Sequence, residues 1–167
     1  HQADVPADKH YDVLVNQHVE MVNLNRSHPS ILMWSMGNES LKFKEYFKQA
    51  SETVKQLDPT RPRIFSQWGP DADEGTLEIT NHHYPGPEGP DKYRHYKRPV
   101  TFDEFCHLNA YNRLELAADP GLRNMWGKLL DAMWNDMYHS QGVLGGAIWV
   151  RIDDTFFLPG EKAVGYG

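Results

Sequence analysis

"SHPSILMWSMGNES", residues 27–40, carries an apolar run from Ile31 to Trp34 that ends in Gly37-Asn38-Glu39. Because the run does not alternate, it reads as a strand, Ile31–Met36, buried on both faces of a parallel sheet. Such strands usually close on a turn residue, and a Glu there is more often the solvated start of a helix. Here an amide and a carboxylate stand side by side at the strand's C-terminal end. Their meaning depends on what the rest of the chain sets opposite Glu39.

Outward from this stretch, strands alternate with amphipathic helices. Upstream, Tyr11, Leu14, Val15, His18 and Val22 recur at steps of three and four, which predicts a helix over about 8–26 with Asp8 as its N-cap. His28-Pro29 ends it, since the residue before a proline is pushed out of the helical region. Downstream, Phe43, Tyr46, Phe47, Ala50, Val54 and Leu57 form one stripe of a helix over 41–57, closed by Asp58-Pro59-Thr60-Arg61-Pro62. Short strands are expected at Arg63–Ser66 and Leu77–Asn81, joined by a connection with room for a short helix at most. A Pro/Gly-rich loop over 85–90 precedes a fourth strand, Pro99–Phe105. Asp119-Pro120 opens a long helix whose stripe includes Leu122, Met125, Trp126, Met133 and Met137, read as core rather than as a cofactor box. Gly142 ends it, and Gly146–Ile152 is expected to be a fifth buried strand.

Composition narrows the class. A chain of 167 residues can bury one sizeable core, and one domain over 1–167 is the expectation. A net charge of −6 argues against nucleic acid as a partner, because phosphate binding needs a basic surface. The single cysteine, Cys106, excludes an internal disulfide framework and a cysteine-only zinc site. No apolar run approaches the ~18 residues of a membrane span, so no membrane partner is expected. The first residues, HQADVPADKHYD, have neither the basic nor the apolar region of a signal peptide, and the chain reads as beginning mid-structure.

Alternating strands and helices imply a parallel sheet covered by helices, either doubly wound or part of a (β/α)₈ barrel. Neither G-x-G-x-x-G nor G-x-x-x-x-G-K-[ST] occurs, so the phosphate cradles of the doubly wound class are missing. Instead, polar residues gather at the C-terminal ends of the expected strands. Asn38 and Glu39 close the first, His82, His83 and Tyr84 the third, and Glu104 the fourth, while Trp149 lies in the fifth. In a barrel that end is the active face. Two carboxylates flanking one bond are what glycoside hydrolysis requires, and Glu39 and Glu104 are the candidates. His82-His83 is a poor metal pair, because neighbours on a strand point to opposite faces. His107 reads as a sugar ligand or polar lining, and Trp149 as a stacking platform or barrel core.

These residues carry a resemblance. "SHPSILMWSMGNES" is similar to the acid/base signature of glycoside hydrolase family 2, the β-galactosidase family. "RPVTFDEFCH", residues 98–107, resembles that family's nucleophile strand, and "GVLGGAIWVRIDD", residues 142–154, its last barrel strand. The resemblance covers essentially the whole chain in the right order. It implies a retaining exo-β-glycosidase with Glu39 as general acid/base and Glu104 as nucleophile. By the same resemblance Asn38 binds the sugar 2-hydroxyl, Tyr84 hydrogen-bonds the nucleophile, His107 contacts sugar hydroxyls and Trp149 walls the pocket. The substrate is then a carbohydrate. No cofactor or metal is expected, since the magnesium ligands of the β-galactosidases other than Glu39 have no counterpart here.

Val150-Arg151-Ile152-Asp153 and the stretch "LNAYNRLEL" after His107 depart from the β-galactosidase pattern, so β-glucuronidase and β-mannosidase specificities stay open. The fold implied is a partial TIM barrel of about five parallel strands, four to eight, from a longer protein, since a closed barrel typically takes ~250 residues. Such a piece has open edges, and copies are expected to associate through them or relax from barrel curvature. The alternative from another class is a non-catalytic carbohydrate-binding or structural module derived from the same barrel.

Overall fold

The computed structural model describes residues 7–66, 75–107, 118–149, 154–157, 159–160 and 163–166, in two compact units, 1–82 and 83–167. In the first unit, helix α1 (Ala7–Asn25) leads to strand β1 (Trp34–Asn38). A single 3₁₀ turn (Leu41–Phe43) opens α2 (Lys44–Leu57), and β2 (Arg63–Ser66) and β3 (Thr80–Asn81) follow. β1 and β2 run parallel, with Trp34 opposite Arg63 and Ser35 opposite Ile64. The stripes read from the sequence form the core: Leu14, Val22, Tyr46, Phe47, Ala50 and Val54 are buried against Trp34, Met36 and Phe65.

Two details differ from expectation. α1 already begins at Ala7, so Asp8 lies in its first turn rather than capping it. β1 begins at Trp34, not Ile31, and Leu32 is 72% exposed. The apolar run before Trp34 therefore approaches the sheet without being buried on both faces. The connection expected between β2 and β3 lies largely outside the described residues.

The turn after α2 explains where β1 starts. Asp58, 5% exposed, accepts hydrogen bonds from the Trp34 indole (3.0 Å), the Thr60 hydroxyl (2.5 Å) and backbone N–H (3.1 Å), and the Arg61 guanidinium (2.6 Å). Arg61 in turn donates to the carbonyls of Ile31 (2.8 Å) and His28 (3.1 Å). The hydrogen bond from Thr60, with those from Arg61 and Trp34, holds the Asp58 carboxyl far below the usual carboxylate range. One buried carboxylate thus ties the helix end, the turn and the entry to β1 together.

In the second unit, β4 (Val100–Phe105) pairs in parallel with β5 (Val143–Ile148), and α3 (Pro120–His139) connects them and packs on the pair. Asp119 caps α3 by accepting from Leu122 N–H at 2.9 Å, with Pro120 in the first turn, where its missing N–H costs nothing. Met133 and Met137 of α3 meet Val100, Phe102 and Phe105 in the core. Phe102 and Phe105 are essentially fully buried, at about 1.5–3 kcal/mol each, and fix β4 lengthwise. Met125 is instead 52% exposed, on the edge of the predicted stripe.

β5 starts three residues before the expected strand and is not buried: Leu144 is 55% and Ile148 42% exposed. Apolar content does not specify which faces of a strand are covered. Gly146 lies so close to β4 that a Cβ there would sit 2.0 Å from the Phe102 carbonyl oxygen, so glycine is required. An antiparallel hairpin, β6 (Asp154–Phe157) with β7 (Ala163–Tyr166), was not anticipated.

Candidate active site

The first candidate carboxylate, Glu39, leaves β1 just beyond an irregularity. From Ser35 to Asn38 is three steps along β1, whereas their partners Ile64 and Ser66 are two apart on β2 (38 − 35 against 66 − 64). The extra residue is absorbed at Met36-Gly37, and such bulges re-aim the side chains that follow. Gly37 fits because a Cβ would meet the Phe47 ring at 2.8 Å and the Phe65 ring at 3.0 Å. Glu39 then adopts φ 48°, the left-handed region, at a cost of about 1–2 kcal/mol for an L-residue. Its N–H donates to the Ser66 carbonyl at 3.0 Å, and the Ser40 hydroxyl donates to the Asn38 carbonyl at 2.8 Å. These bonds hold the strained corner. Glu39 and Asn38 are both half-buried, and Asn38 lines a cavity of about 380 Å³ with His18, Met21 and Ser40.

The second carboxylate repeats the device in the other unit. Phe102 and Phe105 are three apart on β4, but their partners Gly146 and Ile148 are two apart on β5 (105 − 102 against 148 − 146). Asp103 and Glu104 together therefore oppose Ala147. In a regular strand these neighbours would point to opposite faces; at the bulge both reach one side chain, His83. His83 is completely buried, with Nε2 2.9 Å from Asp103 Oδ1 and Nδ1 3.5 Å from Glu104 Oε2. Tyr84, at φ 46°, donates its N–H to the Glu104 carbonyl at 2.7 Å and its hydroxyl to Glu104 Oε2. The His107 ring stacks on Tyr84, centroids 5.7 Å apart.

The Glu104 carboxyl is only 11% exposed, so charge-assisted hydrogen bonds must replace the water it has lost. Cys106 follows at φ 58°; the Trp126 indole donates to its carbonyl at 2.6 Å. Burial pushes the Cys106 thiol up, against a smaller opposing effect of its bond to Trp126, so it stays protonated and is a poor nucleophile.

Within the second unit, then, Tyr84, Glu104 and His107 come together. Trp149 is linked through its backbone, which donates to the Phe105 carbonyl at 3.1 Å; its side chain is 37% exposed and is not buried as barrel core. Val150–Asp153 and the stretch after His107 lie outside the described residues. Sequence reasoning passed over His83 and Asp103. His82-His83 was weighed only as a poor metal pair, and Asp103 carried no reading of its own.

Parallel strands linked by helices, two of them (β1 and β4) with a carboxylate on a left-handed or bulged corner near the C-terminal end, are the pattern of part of a (β/α)₈ barrel. The chain belongs to the glycosyl hydrolases family 2, whose TIM barrel domain it matches over residues 2–142. It is 31% identical to a β-glucuronidase of Paenibacillus borealis over 121 residues, 58% of this chain and 20% of that protein. A β-galactosidase of Lactococcus lactis subsp. lactis (strain IL1403) is 28% identical over 163 residues, 95% of this chain and 16% of that protein.

Among solved structures, a GH2 β-galacturonidase from Eisenbergiella tayi bound to galacturonate superposes with a TM-score of 0.66. It is 19% identical, over 83% of this chain and 29% of that one. A β-D-glucuronidase of Dictyoglomus thermophilum also gives 0.66, at 20% identity over 89% and 30%. These likenesses show the fold, a partial TIM barrel. The chain spans about a fifth or less of the length of both sequence relatives.

Proposed function

We propose that this chain carries the two catalytic carboxylates of a retaining exo-β-glycosidase. In the first step a carboxylate oxygen of Glu104 bonds to the anomeric carbon while the bond to the leaving oxygen breaks. The released electron pair stays on that oxygen, which takes its proton from Glu39. In the second step water attacks the anomeric carbon and gives a proton to Glu39, and the bond to Glu104 breaks to regenerate the carboxylate. Asn38 binds the sugar 2-hydroxyl, His107 other hydroxyls, and Trp149 one wall of the pocket.

The observation that supports this most is the setting of Glu104. It is a nearly buried carboxylate that receives the Tyr84 hydroxyl on Oε2 at the C-terminal end of a barrel strand. A binding module has no use for a desolvated carboxylate at that place. The sugar is a terminal β-linked pyranose; relatives named β-glucuronidase and β-galactosidase support a uronic acid and a galactose equally. The test is to assay the full-length parent on a panel of aryl β-glycosides while following the first-formed anomer by NMR. Release of the β-anomer supports the reading. Release of the α-anomer, or no turnover on any member of the panel, removes it.

A further inference from the structure

We infer that His83 is a positioning residue for the nucleophile, held in place by Asp103. The inference rests on Glu104 being that nucleophile. Three observations carry it, all within the second unit. His83 is fully buried, although nothing in the proposed chemistry requires an imidazole there. Its two ring nitrogens face two carboxylates, Asp103 Oδ1 at 2.9 Å and Glu104 Oε2 at 3.5 Å. And the bulge in β4 is what lets consecutive acids reach the same ring.

The geometry sets the roles. Asp103, a quarter exposed, sets its Oδ1 2.9 Å from Nε2, close enough to attract that edge of the ring although not aligned as a hydrogen bond. Nδ1 is then aimed at the same Glu104 oxygen that receives the Tyr84 hydroxyl. The Tyr84 hydroxyl on Oε2, with the Nδ1 edge of His83 packed beside it, leaves Oε1 as the attacking oxygen and restrains rotation about the last bond. The Tyr84 ring, edge-on at 5.7 Å and 75°, closes the remaining side of the imidazole. His83 does not touch substrate. It acts through Glu104, and its effect belongs to the step in which Glu104 attacks.

The test uses the full-length parent and a 2-deoxy-2-fluoro aryl glycoside, whose covalent adduct isolates that step. Leucine at 83 removes both nitrogens, whereas asparagine keeps an amide N–H near the place of Nδ1. His83→Leu is expected to slow adduct formation on the order of 10²-fold, as for ~1 Å of misplacement at a reacting group. The KM for an ordinary substrate should change far less. His83→Asn should recover most of the rate. Asp103→Asn, at a more exposed position where folding is less at stake, should slow the step on the order of tenfold, and add nothing further in the His83→Leu background.

Adduct formation at the wild-type rate in His83→Leu or in Asp103→Asn would overturn the inference while leaving Glu104 as nucleophile. So would equal losses in the Leu and Asn variants, which indicate packing alone. Failure of the wild-type parent to label at Glu104 would overturn the proposed function, and this inference with it.

Discussion

Tyr84 is tied to Glu104 at two points: its backbone N–H donates to the Glu104 carbonyl at 2.7 Å, and its phenol donates to the Glu104 carboxylate. The first bond fixes where the Tyr84 corner meets the end of β4. Tyr84 can then hold φ 46°, a conformation that costs an L-residue about 1–2 kcal/mol. The second bond uses that corner to present a donor to an anion with little water around it.

Removing the phenol should therefore affect the reaction more than substrate binding. A hydrogen bond to a charged group contributes about 1.5–3 kcal/mol, so Tyr84→Phe in the full-length parent should lower kcat roughly 10- to 10²-fold. KM should shift much less, and the backbone bond should keep the fold intact. Steady-state kinetics on an aryl glycoside decide it. An unchanged kcat would mean the phenol does not serve the nucleophile.

The two acids can be told apart by azide. With Glu39→Ala, azide intercepts the glycosyl-enzyme without needing a base and should give the β-glycosyl azide. With Glu104→Ala, azide takes the place of the nucleophile and should give the α-glycosyl azide. NMR of the products reads this directly. Exchanged anomers would reverse the assignment of roles. In a crystal structure of the parent, the two carboxyl groups should lie ~5–5.5 Å apart; ~6.5–9.5 Å would indicate inversion.

Acid should weaken the first unit through Glu78. Burial alone would raise this carboxyl, but hydrogen bonds from Arg63 and Lys55 outweigh it and hold it at about 2, against an ordinary 4.5. A carboxyl depressed in the folded state stabilises the protein above its ordinary value, and that stabilisation drains away as pH falls from about 4.5 towards about 2. Glu78→Gln should consequently be less stable than wild type at neutral pH, the gap closing towards about pH 2. Thermal midpoints measured across that range check it, and a gap independent of pH would contradict it.

The 167-residue chain by itself should show little glycosidase activity. Leu144 and Ile148 of β5 stand exposed, and a displacement of ~1 Å at a catalytic group costs on the order of 10²-fold in rate. Assaying the chain beside its full-length parent, with size-exclusion chromatography, tests this. A monomer turning over aryl glycosides at the parent's rate would show that these strands suffice.

Much of this was legible in the residues, and what was not has identifiable causes. The helical stripes of α1 and α2 could be read because their period is local, and Glu39 and Glu104 stood out because each ends an apolar strand. Strand limits failed where burial decides them: Leu32 and Ile148 are as apolar as buried neighbours, yet lie exposed. The bulges at Met36-Gly37 and Asp103-Glu104 were invisible, since a bulge is a mismatch between two strands and neither sequence alone contains it. His83 was missed for the same reason. Its importance comes from Asp103 and Glu104, 20 and 21 residues away (103 − 83 and 104 − 83), both turned towards it by that mismatch.

Whether Glu104 is the nucleophile is tested most directly by trapping. The full-length parent should be incubated with a 2-deoxy-2-fluoro aryl glycoside, digested, and its labelled peptide sequenced by mass spectrometry. The expected result is one fluorosugar per chain, ester-linked to Glu104. A label on Glu39, or no label on a parent that still hydrolyses the unmodified glycoside, would contradict it.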